Sequence, residues 1–271
     1  MRLITFAAYL FVATATLAAS AQETPGAKGD QQRHYFFTAA GADMPYRLYV
    51  PQSYDPARKT ALVVALHGFG GDQNYFFAPL PTLPALLEQH QFIFVAPMGY
   101  SKSGWYGAPL DIPGNRPRSS GQAVPPVTQT PEQMRRERAL SEADVMNVLE
   151  LVSREYNVDA DRIYLMGHSM GGMGTYVLGQ KYAERWAAIA PMSGTLADAS
   201  YSLERLTNVA VMLSAGSTET ATVAAAQAQV EQMRKMGIVT GLWIQPDGTH
   251  MSMIAPTLPK VLDFFADKVR H

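Results

Sequence analysis

Apolar residues in this chain fall either into short unbroken runs or into longer segments where they recur every three or four positions. Ala61-Leu62-Val63-Val64-Ala65-Leu66, Phe92 to Pro97, Arg162 to Met166, Trp186 to Pro191, Val209 to Leu213 and Leu242 to Ile244 are of the first kind. A strand without polar alternation has both faces covered, as in a parallel sheet flanked by helices. The second kind supplies those helices. Thr82 to Gln89 reads as a short one, and Met173 to Glu184 as another. Val223, Ala226, Val230 and Met233 line a third, closed by Gly237, while Leu258, Val261, Leu262 and Phe265 mark the terminal helix. Ser141-Glu142-Ala143-Asp144 has the order of a capping box with Asp for the usual Glu or Gln. It predicts the start of the helix carrying Val145, Val148, Leu149 and Val152. Upstream, Tyr35-Phe36-Phe37 and Tyr46 to Val50 flank a turn signal at Gly41-Ala42-Asp43, which predicts an antiparallel hairpin. The pattern as a whole predicts an α/β fold: a mostly parallel central sheet, helices on both faces and an antiparallel N-terminal hairpin.

Composition fits this picture and narrows the setting. With 47% hydrophobic and 17% charged residues over 271 positions, the chain can bury a sizeable core without a second domain. A net charge of −1 with no basic run suggests neither nucleic acid nor an anionic membrane surface as a partner. Residues 1–21 combine Arg2, an uncharged apolar stretch from Leu3 to Leu17 and the small-x-small site Ala19-Ser20-Ala21. That is the pattern of a signal peptide, so a periplasmic or secreted protein with no membrane attachment after its removal is expected. Residues 22–30 read as a mobile leader and 31–271 as one domain. A proline-rich insertion at about 108–131 interrupts it, where Pro109 to Pro131 holds six of the 18 prolines. The chain has no cysteine, which removes disulfides, thiolate metal sites and cysteine catalysis.

Candidate chemistry gathers at the ends of the apolar runs. The run Arg162 to Met166 leads into Gly167-His168-Ser169-Met170-Gly171 and then a helical segment. A serine on so tight a strand-to-helix turn is forced outward by a strained backbone, and glycines two residues either side remove clashing Cβ atoms. Ser169 is therefore the candidate nucleophile. His67-Gly68-Phe69-Gly70-Gly71 ends the first run, and a glycine-rich loop can aim backbone amides at a developing oxyanion. The Phe69 and Met170 amides are assigned that role. A serine needs an imidazole base held by an acid. Two histidines follow Ser169, and His271 ends the chain, which leaves His250 in the turn Pro246-Asp247-Gly248-Thr249 as the base. His67 is expected to be hydrogen-bonded beneath the oxyanion loop, His168 to face away from the nucleophile, and His34 and His90 to be peripheral. Glu219, on the loop after Val209 to Leu213, leads as the acid, with Asp198 and Asp247 as alternatives. Trp105 and Tyr106, ahead of the insertion, are candidate walls of a substrate pocket, unless the insertion is plain surface. The chemistry requires no metal and no other cofactor, and no two-histidine ligand spacing is present.

On His67 to Gly71, Gly104-Trp105-Tyr106-Gly107, Gly167 to Gly172 and Gly248-Thr249-His250, the chain from about Asp43 to Arg270 resembles the α/β-hydrolase superfamily. Within it the chain is similar to secreted esterases of the polyhydroxybutyrate-depolymerase and feruloyl-esterase type, and more distantly to the catalytic domain of prolyl oligopeptidases. The resemblance implies an α/β-hydrolase fold and a carboxylic ester hydrolase acting on a small-molecule or polymer ester through an acyl-enzyme on Ser169. One departure stands out. Related enzymes carry His-Gly-x-x-Asp after the penultimate strand, where this chain has Ala215-Gly216-Ser217-Thr218-Glu219. Two other readings remain at this level: a serine peptidase, for which no second domain is present to hold peptides, and a hydrolase-fold binding protein that has lost catalysis.

Overall fold

The computed structural model describes residues 26–110, 129–195 and 202–270. The expected export signal at 1–21, Asp198 and most of the proline-rich insertion lie outside the described residues. Strands β1 (Gly29–Phe37), β2 (Ala42–Val50), β3 (Thr60–Leu66), β4 (Ile93–Pro97), β5 (Val158–His168), β6 (Ala188–Met192), β7 (Ala210–Gly216) and β8 (Thr240–Gln245) form one sheet, ordered β1-β2-β4-β3-β5-β6-β7-β8. The β1–β2 and β2–β4 pairs are antiparallel and every other pair is parallel. Helices α1 (Leu83–His90), α2 (Pro131–Glu155), α3 (Met170–Lys181), α4 (Thr220–Lys235) and α5 (Ile254–Phe265) cover the sheet.

The unbroken apolar runs explain how two helical layers attach. Successive residues of a strand point to opposite faces, and Ala61 to Leu66 are all at most 1% exposed. Leu62, Val64 and Leu66 pack into one cluster with Val145, Val148 and Val152 of α2, Met173 and Leu178 of α3, and Val230 and Met233 of α4. Ala61, Val63 and Ala65 pack into the other with Leu83 and Leu87 of α1 and Leu258, Val261 and Phe265 of α5. Each leucine so buried contributes roughly 1.5–3 kcal/mol, so a polar residue at any of these positions would strip one layer. The parallel strands all send their carboxyl ends to the same edge, where ligands bind in open α/β sheets.

Two expectations shift. Strand β1 begins at Gly29, so the last two residues of the expected leader are sheet. Its early residues are polar because the strand is at the edge of the sheet with alternate residues exposed, and its one deeply buried charge, Arg33, pairs with Glu155 at 2.5 Å. Helix α2 starts ten residues before the expected capping box. Its box is Thr130 with Gln133, joined by reciprocal bonds of 3.2 and 2.8 Å. Ser141 and Asp144 instead lie buried in mid-helix. There the Ser141 hydroxyl accepts from the Tyr106 amide at 3.1 Å, and the Asp144 carboxylate accepts from the Tyr35 hydroxyl at 2.6 Å and the Tyr100 amide at 3.0 Å. The sequence order of a cap arises equally when buried side chains satisfy a neighbouring loop.

Candidate active site

One residue separates β5 from α3. Ser169 takes φ 57° and ψ −113°, a strained conformation that persists only where its surroundings impose it. The Ser169 amide donates to the Met192 carbonyl at 2.8 Å, and the Ser169 carbonyl accepts from the Met173 amide at 3.0 Å. Glycine is demanded on both sides. A Cβ on Gly171 would lie 2.1 Å from the Leu66 carbonyl oxygen, and one on Gly167 would lie 2.3 Å from that of Gly171. The same closeness sets the loop after β3 directly against the turn.

Loops from three other strand ends complete the arrangement. His250 Nε2 is 2.8 Å from Ser169 Oγ, and His250 Nδ1 is 2.6 Å from Glu219 Oε1. An ionised carboxylate only accepts, so Nδ1 carries the proton and Nε2 is left to accept from the serine hydroxyl. The other carboxylate oxygen of Glu219 accepts from the Ser193 hydroxyl at 2.6 Å and the Gly216 amide at 3.0 Å. Burial disfavours the charged carboxylate, but the hydrogen bonds from His250, Ser193 and Gly216 outweigh it and hold its pKa below the ordinary glutamate value. Glu219 also sits immediately before α4, where unpaired helix amides favour negative charge.

The loops bearing Glu219 and His250 are bonded to each other. The Ser217 amide donates to the Gln245 carbonyl at 3.0 Å, and the Thr218 amide and hydroxyl donate to the Gly248 carbonyl at 3.1 and 2.9 Å. A Cβ on Gly216 would lie 2.4 Å from that Gly248 oxygen. The segment that departs from the related motif thus brings a carboxylate to His250. Asp247 is exposed in the turn with φ 53°, and the carboxylate at His250 Nδ1 is that of Glu219. Asp198 lies outside the described residues.

Met170 opens α3, where the first amides have no partner within the helix. Neither its amide nor that of Phe69 meets an acceptor among the described residues. The Phe69 loop rests on the segment 98–107: the Gly70 amide donates to the Lys102 carbonyl at 2.8 Å, and the Tyr106 hydroxyl to the His67 carbonyl at 3.2 Å. His67 is buried, with its ring nitrogens 2.8 Å from the Gly68 and 2.7 Å from the Met98 carbonyl oxygens, and burial pushes its pKa down. Tyr106 is corrected from pocket wall to core support, since its ring is fully buried beside Gly99 and Gly174. Trp105 is partly exposed and its ring tilts against Phe69, with centroids 6.0 Å apart. Phe69, on the loop after β3, and Met251, beside His250, are each 57% exposed.

Two residues escaped sequence reasoning. Ser193 follows β6 at the carboxyl edge of the sheet, and only that position could have marked it. His168 does face away from the hydroxyl, yet its ring lies beside His250: its Nε2 is 2.7 Å from the His250 carbonyl oxygen, its Nδ1 2.8 Å from the Tyr75 hydroxyl.

A serine, an imidazole and a carboxylate in one hydrogen-bonded line, at the carboxyl edge of a mostly parallel sheet of this order, define an α/β-hydrolase fold with a serine-hydrolase constellation. Residues 38–250 match the family described as "Putative esterase", and the chain belongs to that family. Feruloyl esterase B of Neurospora crassa is 30% identical over 149 residues, which cover 54% of this chain and 42% of that protein. A bifunctional acetylxylan esterase/xylanase of Neocallimastix patriciarum is 30% identical over 155 residues, covering 57% of this chain and 18% of that one. This chain therefore spans less than half the length of these relatives. Among solved structures, an S-formylglutathione hydrolase from Agrobacterium tumefaciens superposes with a TM-score of 0.64 at 14% identity, covering 90% of this chain and 97% of that one. A thermostable esterase gives 0.63 at 23%, covering 89% and 63%. These structural likenesses are of fold.

Proposed function

We propose that the chain is an exported, cofactor-independent serine esterase, and that its substrates are acetyl or feruloyl esters of the kind its sequence relatives are named for. The observation that carries this reading is the unbroken line Ser169 Oγ to His250 Nε2 to Glu219, at 2.8 and 2.6 Å, together with the Phe69 and Met170 amides that meet no acceptor among the described residues. In this mechanism His250 Nε2 takes the hydroxyl proton as Ser169 Oγ attacks the ester carbonyl carbon. The Phe69 and Met170 amides donate to the resulting oxyanion, and Glu219 stabilises the imidazolium. His250 then gives its proton to the departing alkoxide, leaving an acyl group on Ser169. Water, deprotonated by the same imidazole, attacks the acyl carbon; the bond to Ser169 Oγ breaks, the acid leaves, and the imidazolium returns its proton to Oγ. The apolar rim of Phe69, Trp105 and Met251 supports an aromatic or alkyl acyl group in place of a charged one. Export rests on residues 1–21.

Purified protein should release p-nitrophenol from p-nitrophenyl acetate, hydrolyse methyl ferulate and take up one fluorophosphonate per chain, all lost in Ser169→Ala. Wild-type protein that is folded but neither labels nor cleaves either ester overturns the reading. Peptide anilide turnover exceeding ester turnover would make the enzyme a peptidase. N-terminal sequencing of exported protein should begin at Gln22.

A further inference from the structure

His168 lies inside the elbow, yet the reaction above does not use it. It is fully buried, and a buried imidazole with an unmet ring nitrogen would be costly. Both its nitrogens are engaged. Nε2 faces a backbone carbonyl, which only accepts, so Nε2 carries the proton; Nδ1 is then bare and accepts from the Tyr75 hydroxyl. The chain of donors runs one way, from Tyr75 through His168 to the carbonyl of His250. Tyr75 belongs to the segment following the oxyanion loop, and its hydroxyl also packs against Gly68, where a Cβ would meet it at 2.7 Å.

The consequence falls on the base. The His250 ring is held at Nδ1 by Glu219, and the His250 backbone is held by His168, whose ring lies 4.7 Å from it, centroid to centroid. The base lies on a turn whose neighbours Met251 and Ser252 are exposed. Without the second hold, that turn could swing the imidazole off Ser169 while leaving the sheet intact. His168 must also remain uncharged, because a cation so close would oppose the imidazolium that forms on His250. Burial, then the neighbouring His250, push the His168 pKa down to about 3.

We infer that His168 is a positioning residue for the base: through Nε2–H to the His250 carbonyl, with its tautomer set by Tyr75, it locks the turn carrying His250 to the elbow carrying Ser169. The inference rests on the proposed roles of Ser169 and His250.

Glutamine and asparagine separate this from simple packing, because a glutamine amide reaches the place of Nε2 while an asparagine amide reaches only that of Nδ1. His168→Gln should keep kcat for p-nitrophenyl acetate within about threefold of wild type. His168→Asn should lower kcat at least about tenfold with KM little changed, the expected cost of one lost orienting hydrogen bond. Tyr75→Phe, which removes a single oxygen, should fall between them. The low-field proton resonance of the His250–Glu219 hydrogen bond should persist in His168→Gln and broaden away in His168→Asn. Equal kcat in the Gln and Asn variants, or a low-field resonance unchanged in Asn and in Tyr75→Phe, overturns the inference. Should His168→Asn not fold, Tyr75→Phe decides by the same two readings. The resonance is read whatever the protein hydrolyses, so a failed esterase reading and a failed positioning role give different results.

Discussion

Glu219 is longer by one methylene than the aspartate of the related motif, and that length carries an entropic cost unless the carboxylate is clamped. Ser193 and the Gly216 amide supply the clamp, occupying Oε2 and leaving Oε1 for His250. Glu219→Gln removes the charge that stabilises the imidazolium and favours the wrong tautomer. It should lower kcat by roughly 10³–10⁴ with the fold retained, as measured by steady-state ester turnover and circular dichroism. Ser193→Ala leaves the acid charged but less fixed, and should cost about 3–10-fold in kcat, with KM nearly constant. A pH effect follows from His168. Its folded pKa of about 3 lies below its ordinary value of 6.5, so between those limits the unfolded chain binds the extra proton. Stability is therefore lost as pH falls below about 6.5, at up to about 1.4 kcal/mol per unit from this residue. Urea unfolding at pH 7 and pH 5 should show a smaller drop for His168→Gln than for wild type. An equal drop in both would remove His168 from the acid sensitivity.

Elements place these residues, and they differ in how far the sequence reveals them. The elbow was legible because steric need leaves a local trace: strand, three glycines around Ser169 and helix in eleven consecutive positions from Ile163 to Met173. That His250 is the imidazole facing Ser169 was legible by elimination among few histidines. Asp144 and Ser141 were misread as a cap because a buried polar side chain serving a distant loop has no local signature. The polar start of β1 read as leader for a similar reason, since an edge strand is not obliged to be apolar. Tyr106 misled because an aromatic just ahead of a long irregular insertion reads as a pocket wall until its hydroxyl is seen bonded to the His67 carbonyl. The true start of α2 gives a direct check. Thr130→Ala removes the hydroxyl that accepts from the Gln133 amide, while the Thr130 amide keeps its bond to the Gln133 side chain; the variant should cost about 1 kcal/mol in thermal or denaturant unfolding, with kcat unchanged. Gly171→Ala should do the opposite kind of damage. Its Cβ must push β3 away from the elbow, so soluble protein that keeps wild-type fluorophosphonate labelling would contradict the stated geometry.

At the scale of the molecule, one sheet serves two cores, and β3 shows how tightly they are coupled. Leu62 belongs to the cluster under α2, α3 and α4, and its neighbour Val63 to the cluster under α1 and α5. Their side chains share no partners, yet they hang from consecutive residues of one strand whose carboxyl end carries the oxyanion loop. Leu62→Ala should cost about 2–5 kcal/mol through lost burial and the cavity left behind. Val63→Ala should cost less, since fewer atoms are removed. Because the cavities lie on opposite sides of the sheet, the double variant should equal the sum of the single ones within about 0.5 kcal/mol, as for sites without common contacts. Leu62→Ala with Val64→Ala, which enlarge one cavity on one face, should depart from the sum by more than that. Both combinations should still unfold in a single transition, seen alike by tryptophan fluorescence and far-ultraviolet circular dichroism, because neither core can lose β3 without the other. Two separated transitions would show that the helical layers are independent, and the triad, whose members hang from strands shared by both layers, would then be expected to lose activity at the first of them.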